Sequence, residues 1–135
     1  MTPDEIRPLV EFYVLTLREA YNPNDAPTPT GIVRPKTKAR QTDDHRNAET
    51  LLTSIVTLVT GHWYSSDVYT VKTAWWAALE KRVGRWMPIP DALEVLTNTE
   101  FVDAMLEALA ERFDAFKTPK QADAQVPQMK EEVAQ

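Results

Sequence analysis

The chain lacks cysteine altogether, and among its 135 residues it has only three glycines and two histidines. Without cysteine there can be no disulfide, no thiolate-bound zinc, no iron–sulfur ligation and no thiol nucleophile. Three glycines cannot furnish a glycine-rich phosphate cradle of either common spacing. Long apolar runs are missing too. No stretch approaches the ~20 residues of a membrane span, and the N-terminus does not read as a basic then apolar leader. The expectation is a soluble, intracellular chain of one ordinary domain, long enough to bury a core without a metal or disulfide staple.

Apolar residues make up 43% of the chain, and their spacing is helical. Thr2-Pro3-Asp4-Glu5 reads as a helix start with a capping box. Ile6, Leu9, Val10, Tyr13, Val14, Leu17 and Tyr21 then follow on one face of a helix over about 3–21, which Pro8 should kink or split. Residues 22–42 carry Pro23, Pro27, Pro29, Gly31 and Pro35 and read as a long loop. A second helix, capped by Asp43 or Asp44 and closed by Gly61, carries Ala48, Leu51, Leu52, Ile55, Val56 and Val59. Its many β-branched residues would suit a strand, but the 3.6-residue period outweighs that preference.

A third helix should run from about Asp67 to Val83 or Trp86, capped by Ser65 or Ser66, with Val68, Val71, Trp75, Ala78, Leu79 and Val83 as its stripe. Met87-Pro88-Ile89-Pro90 stops and restarts the chain into a short helix over about 90–97. Asn98 or Thr99 should cap a fifth helix bearing Phe101, Val102, Met105, Leu106, Leu109, Phe113 and Phe116. The expected fold is all-α: an irregular bundle of four main helices plus one short one within residues 1–117, then a flexible, disordered tail over 118–135.

Candidate chemistry is sparse. His45 and Glu49 share a helix face at i, i+4, but two ligands fall short of the three protein ligands of a catalytic zinc site. His62 follows the C-terminal cap of helix 2, where a cation suits the helix end. Carboxylates recur as Asp43/Asp44, Glu100/Asp103/Glu107, Glu111/Asp114 and Glu131/Glu132. The set on helix 5 lies opposite its apolar stripe, as an ordinary solvated face does. No serine sits in a nucleophile elbow. No catalytic set, metal site or cofactor site emerges, and the chain reads as non-enzymatic.

Charge and aromatic content are more informative by region. The formal net charge is −5, divided as −3 over residues 1–30, +4 over 31–86 and −6 over 87–135. The basic middle comprises Arg34, Lys36, Lys38, Arg40 and Arg46, then Lys72, Lys81, Arg82 and Arg85. Six of the twelve aromatics, including all four tryptophans, lie between Trp63 and Trp86. Adjacent helical residues point about 100° apart, so Trp75 and Trp76 cannot both occupy the centre of one stripe. Trp75 aligns with Val68, Val71 and Leu79, and Trp76 falls at the edge.

Tryptophan is enriched at binding hot spots. The leading expectation is therefore a non-enzymatic protein–protein interaction or assembly module, such as a small adaptor, structural or inhibitor protein, a class that includes those of viruses and mobile elements. Its candidate contacts are Trp63, Tyr64, Trp76 and Trp86, with Arg34, Lys36, Lys38 and Arg40 reaching a partner's acidic surface or that of a second copy. The basic loop could instead lie against acidic helix 5. The alternative function is nucleic-acid binding by the basic middle, which the overall acidic balance disfavours.

Overall fold

The computed structural model describes residues 2–62 and 64–113. They form five helices, α1 Pro3–Tyr21, α2 Lys38–Thr60, α3 Ser65–Val83, α4 Ile89–Val95 and α5 Asn98–Arg112. Among the described residues there is no strand, only one isolated bridge between Asn24 and Pro35. The chain is all-α, as its periodicity requires. Residues 114–135 lie outside the described residues, and with them Phe116 and the expected flexible tail.

α1 begins at the predicted cap: Thr2 accepts from the Glu5 amide, and the Glu5 side chain returns to the Thr2 amide. The helix runs through Pro8 without splitting. Pro8 and Asp4 are both exposed, so the Asp4 carbonyl that loses its amide partner faces water rather than the core.

α2 departs from expectation at its start. Thr37, not Asp43 or Asp44, is its cap, accepting from the Arg40 amide. The first five helical residues, Lys38-Ala39-Arg40-Gln41-Thr42, show no apolar stripe, so periodicity could not find them. The β-branched content of α2 is accommodated by hydroxyls that turn back on the helix. Thr50, Thr53, Ser54 and Thr57 each donate to the carbonyl four residues earlier. Gly61 ends the helix in the left-handed region at φ +82°, where a Cβ would be strained.

The caps of α3 and α5 also differ from the reading. Tyr64 precedes α3 without a side-chain cap bond, and Ser65 is already helical. Thr97, one residue before Asn98, caps α5 and completes a capping box with Glu100. The sequence Thr97-x-x-Glu100 carried that signal.

α1 packs against both α2 and α5, and α3 packs most extensively on α5. Their stripes interlock in one core. Trp75 is only 2% exposed. Its ring centroid lies 5.8 Å from that of Tyr13 and 6.0 Å from that of Phe101. Its Nε1 donates to the Phe101 carbonyl at 3.3 Å. Burial, then the nearby Glu49 and Tyr21, push the Tyr13 hydroxyl pKa up, so it stays protonated deep in the core.

Arg18 joins three elements. Its Nη1 and Nη2 donate to the carbonyls of Leu93 at 2.7 Å and Leu96 at 2.9 Å, and its Nε donates to the Asn98 side chain. The guanidinium also sits 5.6 Å over the Phe101 ring. α4 has no basic residue in its last turn, so a cation from α1 satisfies carbonyls its own sequence leaves open.

Candidate functional site

The Pro-rich connection between α1 and α2 is an ordered hairpin. The Asp25 amide donates to Arg34 and the Lys36 amide to Pro23, each at 2.9 Å. At its tip Gly31 donates to the Thr28 carbonyl at 2.8 Å, a turn with Pro29 in its favoured second position. Ile32 and Val33 stand there 51% and 52% exposed.

Lys36 corrects the sequence reading most sharply. Expected to reach a partner, its side chain is fully buried. Its ammonium lies 2.8 Å from Asp44 and 3.2 Å from the Glu19 carboxylate, and it donates to the Glu19 carbonyl. Burial by itself lowers a lysine pKa, but the hydrogen bonds to Asp44 and Glu19 outweigh it and the pKa is raised. This lysine is held as a cation and is no nucleophile. The other basic candidates stay outside. Arg34 and Lys38 are exposed with no carboxylate partner among the described residues. Arg40, also exposed, reaches Asp25 at 3.8 Å and Asp44 at 3.9 Å.

The basic loop therefore finds acids of α1, α2 and its own hairpin, not those of α5. The α5 acids Asp103 and Glu107 instead meet Arg7 at 3.2 Å and Arg82 at 3.0 Å. Glu49 bridges to Lys72 at 2.7 Å, and His45 packs edge-on to Tyr21. His62 lies 3.5 Å from Asp67. Among the described residues, no three His, Asp or Glu side chains are grouped to hold a metal ion.

The aromatic candidates separate. Trp63 lies outside the described residues. Tyr64 is exposed at the start of α3, its ring tilted 49° against that of His62 with centroids 4.4 Å apart. α3 spans 19 residues, or about 28 Å at 1.5 Å per residue, so Tyr64 belongs to the opposite end from Trp86. Trp76 and Trp86 do converge. Gly84 closes α3 at φ +91°, turning the chain back so that Trp86 and Met87 meet the edge of α3.

The result is an apolar pocket of about 100 Å³. Trp76, Leu79, Glu80 and Val83 supply one wall at i, i+3, i+4 and i+7, and Trp86, Met87, Ile89 and Ala92 supply the other. Trp76 is 45% and Trp86 65% exposed, so both rings form the rim. Glu80 is the sole charged lining residue and has no cation partner among the described residues. Small-molecule sites are typically several times larger, ~300–1,000 Å³, with convergent polar groups. This one has the dimensions of a single aliphatic side chain.

Phe12 and Leu15, outside the apolar stripe predicted for α1, are 56% and 55% exposed on its solvent side. They flank an open groove against Thr50 and Leu51 of α2. Two large apolar residues outside the α1 stripe were the available signal. No helix among the described residues is long and apolar enough to cross a membrane. No protein-family model matches the chain, and neither a curated protein nor a solved structure does.

Proposed function

We propose that this chain is a non-enzymatic interaction or assembly module whose α3–α4 corner receives an apolar side chain of a protein partner. One observation carries the reading: two exposed indole rings, Trp76 and Trp86, rim an apolar pocket of about 100 Å³. Exposed tryptophan beside a small apolar pocket is what a side-chain anchor needs. The rings supply contact area at little entropic cost, and the pocket desolvates the guest. We place it inside a cell or, as an assembly component, in a virion; a chain without cysteine is indifferent to the redox state of either.

Nucleic-acid binding has less behind it. Of the nine bases in residues 31–86, Lys36, Arg40, Arg46, Lys72 and Arg82 already lie within 4.0 Å of a carboxylate. The remainder are split between the hairpin (Arg34), the start of α2 (Lys38) and the end of α3 (Lys81 and Arg85). A low-salt gel shift with single- and double-stranded probes is expected to give no complex. One whose affinity falls steeply with salt would favour this alternative.

The deciding experiment is capture of partners from the native source by the full chain, followed by titration of the purified partner. Trp86→Ala should weaken that affinity about 30-fold, the equivalent of a ~2 kcal/mol hot-spot truncation. Unchanged affinity would remove the pocket from the interface.

A further inference from the structure

We propose that the pocket's ligand is the hairpin tip of a second copy of this chain, giving head-to-tail self-association. The proposal rests on reading the pocket as a side-chain receptor and names what enters it. Three properties of the tip match the pocket.

Shape comes first. Ile32 and Val33 are half-exposed aliphatics on a protrusion fixed by its own backbone bonds. A pre-ordered tip loses little entropy on docking. The pocket of about 100 Å³ admits one branched four-carbon side chain and excludes a nucleotide, a cofactor or a whole helix.

Charge comes second. Arg34 follows Ile32 by two residues, the spacing at which side chains of an extended chain share one side. It is exposed and has no carboxylate partner among the described residues, and Glu80 at the pocket wall has no cation partner among them. Seating Ile32 in the pocket directs Arg34 toward the Glu80 carboxylate, an attraction that must outweigh the like charges of the exposed Lys81 and Arg85 beside it.

Symmetry comes third. Tip and pocket are unlike surfaces, and both are open in the same molecule. Their union is heterologous, so each added copy presents a fresh tip and a fresh pocket, and growth continues to a ring or an open filament. The groove beside Phe12 and Leu15 lacks this complementarity. Its acids Glu19 and Asp44 are already engaged by Lys36.

A tip in a pocket buries less than the ~1,200 Å² of a standard interface, and the net charge of −5 opposes association at low salt. Assembly should therefore be weak and concentration-dependent. Sedimentation of the full chain from micromolar to millimolar concentration is expected to show a rising mean mass. A tip variant, Ile32→Asp with Val33→Asp, and a pocket variant, Trp86→Ala with Glu80→Arg, should each stay monomeric. All four side chains are exposed, so the fold should persist, as circular dichroism checks. Mixed in equal amounts, the two variants should form a one-to-one dimer and nothing larger, because only one tip and one pocket remain intact. Arg34→Glu or Glu80→Arg alone should weaken assembly about tenfold, and the two in one chain should restore it.

A wild-type chain that is monomeric at millimolar concentration, a tip variant that still associates, or a mixture that stays monomeric would overturn the proposal. Failure here can be told from failure of the receptor reading. If the chain is monomeric while Trp86→Ala still costs affinity for a captured partner, only self-docking is lost; if neither effect is seen, both readings fall.

Discussion

The Lys36 ammonium lies 2.8 Å from the Asp44 carboxylate, with the lysine side chain wholly buried and that of Asp44 15% exposed. The pair fastens the end of the hairpin to the second turn of α2, and Glu19 joins it from the last turn of α1. Lys36→Met should cost about 1–3 kcal/mol in urea unfolding, because a partly buried carboxylate loses its cation. The lower half is favoured, since Glu19 is half-exposed and water can replace the lysine there.

The same pair predicts a pH dependence with a definite sign. The Lys36 pKa is raised above its ordinary 10.5, so its contribution is present in full below that value and is lost as pH climbs through the folded-state pKa. The stability gap between wild type and Lys36→Met should therefore be flat from pH 7 to about 10 and narrow above it. Comparing the two proteins removes the effect of Tyr13, whose raised pKa also disfavours the folded chain at high pH. A gap that widens with pH would contradict the assignment.

Trp75 and Trp76, adjacent in sequence, should respond very differently to truncation. Trp75→Ala empties a site packed by Tyr13 and Phe101 and should cost about 3–5 kcal/mol. Trp76→Ala, at an exposed rim, should stay within about 0.5 kcal/mol. Chemical denaturation of both variants checks the contrast.

Capping supplies a second internal comparison. Thr97→Ala removes the hydroxyl that accepts the Glu100 amide at 3.2 Å and should cost about 1 kcal/mol. Thr99→Ala, two residues on and exposed, should be nearly silent in thermal unfolding.

Arg18→Lys tests whether the α1–α4 junction needs a fork or merely a charge. Lysine presents one donor centre and cannot reach Leu93, Leu96 and Asn98 together while covering the Phe101 ring. A loss of about 1–2 kcal/mol is expected, and an unchanged urea midpoint would show that charge suffices.

Helix faces were legible because each repeats over several turns: the stripes of α1, α2, α3 and α5 read from the sequence supply the core, except Tyr21, which is exposed at the end of α1, while Phe116 lies outside the described residues. Two local signals were legible too, Thr2 with Glu5 and Gly61, whereas the end of α3 was left between Val83 and Trp86 and is fixed by Gly84. What escaped depends on partners far along the chain. Lys36 looks like part of a basic run until Glu19, 17 residues earlier, is brought beside it by the hairpin. The first turns of α2 carry no apolar pattern, and the Arg40 and Lys36 pairings with Asp44 replace it. At the candidate site, Trp76 was legible only as the edge of the α3 stripe and Trp86 only as a candidate contact; their exposure comes from the fold. The walls between them needed the reversal at Gly84, which sets Ile89 and Ala92 opposite Leu79 and Val83.

The position of α1 between α2 and α5 has a consequence for biosynthesis. α1 ends at Tyr21 and α5 begins at Asn98, so the helix that completes its burial emerges 77 residues later. At synthesis rates of ~5–20 residues per second, that interval is roughly 4–15 s. Once α2, which ends at Thr60, has emerged, the nascent chain can pair α1 with it, but the face that carries Arg7 and Arg18 toward α5 has nothing to close on. The ribosome thus releases a helical hairpin before it releases a core, and α5, emerging long after α1, is the helix that seals it.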